Sequence, residues 1–261
     1  MTRFPVAPRR ELGQHFLVDE NMLGVIGRLG ELAPQDVVLE IGPGLGVLTR
    51  YLAERVSHVH AVELDRLLEP HLAEGLRGLS NIDLHFEDAL RLDVSRLEPP
   101  PGKLVANLPY SIATPLVVES LQHAPRVALW CVLVQREVAE RFFARPSTKA
   151  YGAVSVLMQL VTKRTGFHPV GRTVFRPKPN VDSALLAFER IRMPDSYVRV
   201  KEVVEGAFSH RRKTLPNSLE LGGVASRARG AHALRELGLA ADVRAEALSP
   251  PQFVALAAAL G

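Results

Sequence analysis

From Val37 to Val134, short apolar runs of strand length alternate with helical stretches, and this alternation restricts the chain to a small set of folds. Val37–Ile41 is apolar except for Glu40, the pattern of a strand covered on both faces. Leu48–Val56 reads as a helix, Val59–Val62 as a strand, Leu64–Leu76 as a helix and Ile82–Phe86 as a strand. Lys103–Ala106 and Ala128–Val134 are further strands, with a helix from about Pro115 to His123 between them. Strands alternating with helices predict a parallel sheet with helices on both faces. Ala184–Glu189 reads as a late strand, an antiparallel partner for that sheet. Ahead of the alternation, Val18–Leu32 reads as a helix: Asp19 is placed to cap it, and Met22, Leu23, Ile26 and Leu29 share one face.

The pattern changes at Met193-Pro194-Asp195, and beyond it the periodicity is only helical. Val200, Val203, Val204, Ala207 and Phe208 form one apolar stripe, Ala231–Leu237 and Pro251–Leu260 are short helices, and Leu221-Gly222-Gly223 interrupts any longer one. The expected architecture is α/β: a Rossmann-like domain over 1–192 and a small all-helical domain over 193–261.

Hydrophobic residues make up 47% of the 261, enough for a sizeable core and too many for a disordered chain. The longest apolar runs, such as Val127–Val134, are too short to cross a bilayer, and Met1–Arg10 lacks the apolar stretch of a secretory signal. No membrane association is expected. The single cysteine, Cys131, excludes an intramolecular disulfide and sits in a strand-like run, where a buried core thiol is expected. A reducing cytoplasmic setting fits this usage. Monomer is the default expectation, and no metal site is read from the sequence.

The net charge of +4 is modest, but its distribution is informative. From Arg141 to Val181 there is no Asp or Glu, while Arg141, Arg145, Lys149, Lys163, Arg164, Arg172, Arg176 and Lys178 all fall there. A one-signed stretch inside a folded chain points to a polyanion partner, unless its acids come from elsewhere in sequence. Arg3–Arg10 forms a further short basic arm.

Gly42-Pro43-Gly44-Leu45-Gly46 follows the first strand of the alternation and opens a helix. Glycines there let a ligand approach the backbone at the carboxyl end of a strand. Taken alone, such a turn is structural or binds a dinucleotide. Two acids narrow the choice. Glu63 ends the next strand, 21 positions after Gly42, where a carboxylate can accept both ribose hydroxyls. Asp88 follows the third strand, where it can accept from an adenine amino group. The third glycine comes one residue early for the dinucleotide Gly-x-Gly-x-x-Gly turn, and a sulfonium cofactor has no phosphate to hold. The pattern favours S-adenosylmethionine over a nicotinamide cofactor.

Asn107-Leu108-Pro109-Tyr110 follows the fourth strand. The exocyclic amine of adenine is a poor nucleophile because its lone pair is delocalised into the ring. Two acceptors aimed at its N–H bonds draw it toward tetrahedral geometry; the Asn107 side-chain oxygen and the Leu108 carbonyl are the candidates. Pro109 stiffens the turn, and Tyr110 offers a face for a base turned out of its stack. The competing reading is an ordinary strand-to-helix turn with a capping Asn.

With these residues in place, the chain resembles the small-subunit (16S) ribosomal RNA adenine N6,N6-dimethyltransferases, which modify adenosines near the 3′ end of that RNA. The resemblance spans nearly the whole chain. It rests on Gly13-Gln14-His15-Phe16-Leu17, the glycine turn with Glu40, Glu63-Leu64-Asp65, Asp88-Ala89 and the Asn107–Tyr110 tetrad. It continues in Val174-Phe175-Arg176-Pro177-Lys178-Pro179-Asn180-Val181-Asp182-Ser183 and Phe208-Ser209-His210-Arg211-Arg212-Lys213-Thr214-Leu215. The resemblance implies a class I methyltransferase, cofactor contacts from His15, Leu17, Gly42, Gly44, Glu63, Asp88 and Asn107, and Phe175 as a second aromatic wall opposite Tyr110. It also implies ribosomal RNA or the small ribosomal subunit as partner and a part in subunit maturation. Two positions depart from the family pattern: His15 stands where Asn is common, and Pro216 where a basic residue is usual, with the expectation that proline ends or kinks the helix there. The rival readings are a large-subunit rRNA adenine methyltransferase of the resistance type, a DNA adenine methyltransferase, a non-catalytic assembly or transcription accessory factor on the same fold, and a nicotinamide oxidoreductase.

Overall fold

The computed structural model describes residues 8, 9 and 13–261. The Arg3–Arg10 arm therefore lies, Pro8 and Arg9 apart, outside the described residues. The chain divides into two compact units. The first holds the chain up to Ala139 together with Arg164–Arg190; the second holds Glu140–Lys163 and Ile191–Gly261. This division differs from the expected break at 192/193, because residues 140–163 are grouped with the C-terminal helices.

Among the described residues there are nine strands: β1 (Phe16–Leu17), β2 (Val37–Ile41), β3 (His58–Glu63), β4 (Ile82–Phe86), β5 (Lys103–Asn107), β6 (Leu129–Gln135), β7 (Thr162–Val170), β8 (Phe175–Arg176) and β9 (Ser183–Arg190). Seven form one sheet in the order β4-β3-β2-β5-β6-β9-β7, and β1 pairs with β8 in a separate ladder. Strands β2 to β6 pair in parallel, while β9 runs antiparallel to β6 from Leu129↔Glu189 to Gln135↔Ser183. The order steps outward from β2 in both directions, which puts the carboxyl ends of β2 and β5 side by side at a topological switch point, the place where open α/β sheets bind ligands.

The apolar residues of the central strands account for the core. Val38, Val59, Ala61, Val105, Cys131 and Leu133 are at most 1% exposed, and a fully buried side chain of valine or leucine size contributes about 1.5–3 kcal/mol. Cys131 is a core thiol as expected: its Sγ lies 3.7 Å from the Ile26 carbonyl, and burial pushes its pKa up to about 12. Trp130 stacks on Phe188 at 5.3 Å and donates to Ser120 Oγ at 2.9 Å. Arg190, at the end of β9, donates to the carbonyls of Leu121, Ala124 and Val127, and so satisfies the open end of the helix Ala113–His123.

Helix limits are tighter than the sequence pattern. The first helix is Glu20–Leu29, with Asp19 accepting from Asn21 N at 2.8 Å. In place of one helix over 64–76, Asp65 caps a short 3-10 turn at Arg66–Leu68 that leads into Glu69–Gly75. The strand β7 and the helix Ala153–Val161 were not expected.

In the second unit, helices Ala153–Val161, Tyr197–Phe208, Leu215–Leu221, Arg227–Glu236 and Pro250–Leu260 pack around Tyr151, Phe208 and Phe253. The buried Tyr151 hydroxyl donates to the Leu248 carbonyl at 2.7 Å. Pro216 does not end a helix. It stands in the first turn of Leu215–Leu221, after the N-cap Thr214, where the missing N–H has no helical partner to lose.

Candidate active site

The site is built on one feature of the first unit, a cleft of 280 Å³ above the carboxyl ends of β2, β3 and β5. Its first wall is the glycine turn. Gly42, Gly44 and Gly46 have φ of +72°, +59° and +77°, left-handed values that cost an L-residue with a side chain about 1–2 kcal/mol. Space adds a second demand at Gly44, where a Cβ would fall 2.8 Å from the Phe16 ring.

The turn is tied to the next strand end by Glu63. Its two oxygens accept from Gly44 N at 3.1 Å and from Asp65 N at 2.9 Å, which fixes the carboxylate at the cleft wall. Burial raises its pKa above the ordinary value, and these backbone donors oppose the rise. Asp88 also lines the cleft; its Oδ1 accepts from Leu90 N at 3.0 Å, and its side chain is 40% exposed.

The N-terminal segment closes a second wall. Strand β1 pairs antiparallel with β8, with Leu17 opposite Phe175 and Phe16 opposite Arg176, so two segments 158 or more positions apart in sequence meet. His15 Nδ1 lies 2.7 Å from the Pro177 carbonyl, and the His15 ring lies 5.3 Å from the Tyr110 ring. Gln14 donates to Asp65 Oδ2 at 3.0 Å.

The tetrad forms the third wall. Asn107 Nδ2 donates to the His15 carbonyl at 2.9 Å, which leaves Oδ1 as the acceptor of that amide for the cleft it lines. Leu108 N donates to the Leu133 carbonyl at 3.1 Å and Ile112 N to the Pro109 carbonyl at 3.1 Å, so both ends of the turn are pinned. Tyr110 Oη lies 2.5 Å from Ser183 Oγ, and burial raises the phenol pKa, which keeps the ring neutral.

Of the residues singled out from sequence, His15, Leu17, Gly42, Gly44, Glu63, Asp88 and Asn107 to Tyr110 all line this one cleft. Phe175 does not. It is 1% exposed, packed in the apolar cluster with Leu17, Met22 and Val170, and paired in the ladder with Leu17, which does line the cleft. The basic stretch is divided as well: Arg141, Arg145, Lys149 and Lys163 belong to the second unit, and Arg164, Arg172, Arg176 and Lys178 to the first.

Three residues of the site carried no role in the sequence reading. Ser183 and Asp65 fell inside quoted segments, but what they bond across the fold is invisible in sequence. Glu40 is the third. It is 1% exposed and lines the cleft, and burial pushes its pKa up to about 8. Thr49 lies close enough to oppose this weakly, yet neither Glu40 Oε2 nor Thr49 Oγ1 has a hydrogen-bond partner among the described residues. A buried carboxyl group held neutral by its surroundings keeps an oxygen able to accept a hydrogen bond beside the cleft. With the glycine turn and two further acids, the donor set fits a sulfonium nucleoside and not a pyrophosphate.

A mostly parallel sheet with a glycine turn after its first strand and acids at the next two strand ends defines a Rossmann-like class I methyltransferase. The sequence model of the ribosomal RNA adenine dimethylase family matches residues 7–260. The chain belongs to that family. It is 48% identical over 250 residues, 95% of this chain and 94% of the other, to ribosomal RNA small subunit methyltransferase A of Rubrobacter xylanophilus. It is 42% identical to the protein of the same name from Pelotomaculum thermopropionicum, over 98% of this chain and 92% of that one. Among solved structures, a dimethyladenosine transferase from Plasmodium falciparum shares the fold with a TM-score of 0.79, at 23% identity over 93% of this chain and 96% of that one. The 23S rRNA methyltransferase ErmE superposes with a TM-score of 0.68, at 30% identity over 94% of this chain and 99% of that one.

Proposed function

We propose that this chain is an S-adenosylmethionine-dependent enzyme that dimethylates the exocyclic amine of adenosines in small-subunit (16S) ribosomal RNA near its 3′ end, with a part in maturation of that subunit. The observation that carries the reading is the cleft in which the Asn107–Tyr110 turn, oriented by the His15 carbonyl, stands against the glycine turn. The relatives of 41–48% identity that carry the small-subunit name support the choice of RNA. We further propose that it works as a monomer in the cytoplasm.

When bound, S-adenosylmethionine supplies an electrophilic methyl group on a sulfonium. Gly42 and Gly44 leave room for it beside the backbone, Glu63 accepts from its ribose, Asp88 accepts from its base, and His15, Leu17 and Asn107 complete its walls. Glu40 precedes the turn as a buried acid and lines the same cleft. Asn107 Oδ1 and the Leu108 carbonyl accept from the two N–H bonds of the target amine and direct its lone pair outward. Tyr110 stacks on the target base, a contact worth about 1–3 kcal/mol. Most of the rate comes from holding the reacting atoms in line. The proton leaves after transfer, so no strong base is needed in the tetrad. The exposed His210, Arg212 and Lys213 of the second unit and Arg164, Arg176 and Lys178 of the first contact the RNA backbone.

The test is methyl transfer from labelled S-adenosylmethionine to unmethylated small subunits, followed by nuclease digestion and mass analysis of the nucleosides. Dimethyladenosine in the small-subunit RNA is the expected result. Label confined to large-subunit RNA overturns the substrate assignment in favour of the resistance-type reading. No label in any RNA, with RNA binding retained, overturns the catalytic one in favour of an assembly factor.

A further inference from the structure

A second cluster of chemistry-bearing side chains lies apart from the cleft, where β3 meets the edge strand β4. His58 and His60 alternate on one face of β3, as do Asp83 and His85 on β4, and His60 stands opposite Asp83 in the ladder. His58 Nε2 lies 3.0 Å from Asp83 Oδ2, and His60 Nδ1 lies 3.7 Å from the same oxygen. His60 Nδ1 is also 3.3 Å from His85 Nε2. Each of His58, His60 and Asp83 offers one ligand atom, and all three atoms fall within 4.8 Å of one another.

The protonation of His60 follows from its other nitrogen. Nε2 lies 2.8 Å from the Pro99 carbonyl, which can only accept, so Nε2 carries the hydrogen. In the neutral ring the lone pair is then on Nδ1, aimed into the cluster. A histidine that donates one N–H to a backbone carbonyl and turns its other nitrogen to the ion is the arrangement by which proteins orient metal ligands. The spacing agrees. Donors about 2.0–2.1 Å from a tetrahedral zinc ion lie roughly 3.3–3.4 Å from one another, and the separations of 3.0 and 3.7 Å bracket that value.

We propose that His58, His60 and Asp83 form a binding site for a divalent first-row transition ion, zinc foremost, with His85 or a water as the fourth ligand. Two imidazoles and one carboxylate suit zinc, whereas calcium and magnesium prefer an all-oxygen set. His60 is 1% exposed and Asp83 half-exposed, so one side of the site is anchored and the other opens to solvent. The site clips β3 to β4, with His60 three residues before Glu63 and Asp83 five residues before Asp88, which follows β4. Its role is structural: the ligands lie on the opposite face of β3 from Glu63.

The test uses the full-length chain without a histidine tag, stripped with a chelator and titrated separately with Zn(II) and with Co(II). Expected are one equivalent of saturable binding, a rise in Tm with Zn(II), and the intense visible absorption of tetrahedral cobalt. His58→Gln and His60→Gln weaken binding by about 10–100-fold or more, while His123→Gln, on a remote exposed histidine, leaves it unchanged. His58→Gln is included because it removes a ligand while keeping the His60–Pro99 contact, should His60→Gln fail to fold. Absence of saturable binding, or equal binding by wild type and His58→Gln, overturns the site and leaves a plain cross-strand ion pair. Neither reading depends on methyl transfer.

Discussion

The Tyr110 hydroxyl lies 2.5 Å from Ser183 Oγ, joining the turn after β5 to the first residue of the antiparallel β9. The ring proposed to stack on the target base is therefore held by a residue 73 positions away. Tyr110→Ala is expected to lower kcat about 5- to 150-fold, the equivalent of 1–3 kcal/mol of stacking, with cofactor affinity retained. Ser183→Ala, which frees the phenol, is expected to lower kcat a few-fold with the same cofactor Kd. Single-turnover methylation with parallel calorimetry checks both, and near-normal turnover of Tyr110→Ala would sink the stacking role.

Asn107→Ala removes the donor to the His15 carbonyl along with the acceptor for the target amine. Leaving that part-buried carbonyl unpaired costs about 1–3 kcal/mol of stability and frees the His15 segment from the cleft wall, so Tm and cofactor affinity are both expected to fall. Turnover at saturating cofactor is expected to fall further. A variant that lost cofactor affinity but kept its kcat would show that Asn107 positions His15 and does not touch the amine.

Gly44→Ala brings a Cβ to within 2.8 Å of the Phe16 ring and forces φ of +59° on an L-residue. The strain of about 1–2 kcal/mol adds to displacement of Phe16. The expected result is a lower Tm and loss of cofactor binding. Gly78→Ala serves as control: φ is again positive, but nothing lies within 4 Å of the added carbon. Its Tm is expected to fall while cofactor binding persists. Equal cofactor affinity in the two variants would refute a special role for the Gly44 turn.

Glu40 has an ordinary pKa of 4.5, and burial pushes it up to about 8 in the folded chain. The folded state thus binds more protons than the unfolded state between those values. Its stabilising effect is complete below 4.5 and is lost as pH rises to about 8. The slope for one such group is about 1.4 kcal/mol per pH unit. Denaturant unfolding across this window is expected to show stability falling with pH in the wild type, and a shallower fall in Glu40→Gln. The Glu63 shift in the same direction leaves a residual slope. Identical slopes in the two proteins would mean that Glu40 is charged throughout.

RNA affinity is expected to fall with salt at a log–log slope of about −0.7 for each neutralised phosphate on single-stranded RNA. Replacing the exposed Arg212 and Lys213 by Ala should flatten that slope by roughly one to two phosphates' worth, without altering cofactor affinity. A slope unchanged by the double substitution would remove the His210–Lys213 segment from the RNA contact.

Much of the first unit is legible in the sequence because central strands carry their own signal. Val37–Ile41 matches in extent, since a strand covered on both faces has few options other than branched and aliphatic side chains, and the edge strand Ile82–Phe86 matches because Ile82, Leu84 and Phe86 alternate with Asp83 and His85. Strand β7 was missed for the opposite reason. It lies at the edge of the sheet, exposes Lys163, Arg164 and His168, and contains Pro169, all features that blunt an edge and hide its periodicity. Pro216 was misread because a proline that breaks one helix and a proline that opens the next look alike until the N-cap is seen.

The glycine turn, the acids at the ends of β3 and β4 and the tetrad after β5 were determined by the sequence alone. A βα unit fixes where a strand ends, and a ligand at that edge meets whatever residue comes next. Only the tertiary structure decided which distant partners hold those residues. The His15 carbonyl turns Asn107, Ser183 anchors Tyr110, and the β1–β8 ladder sets Phe175 opposite Leu17. Such pairings join positions 73 to 162 residues apart, and no local pattern records them, because they are set by the sheet order and by the packing that buries each group.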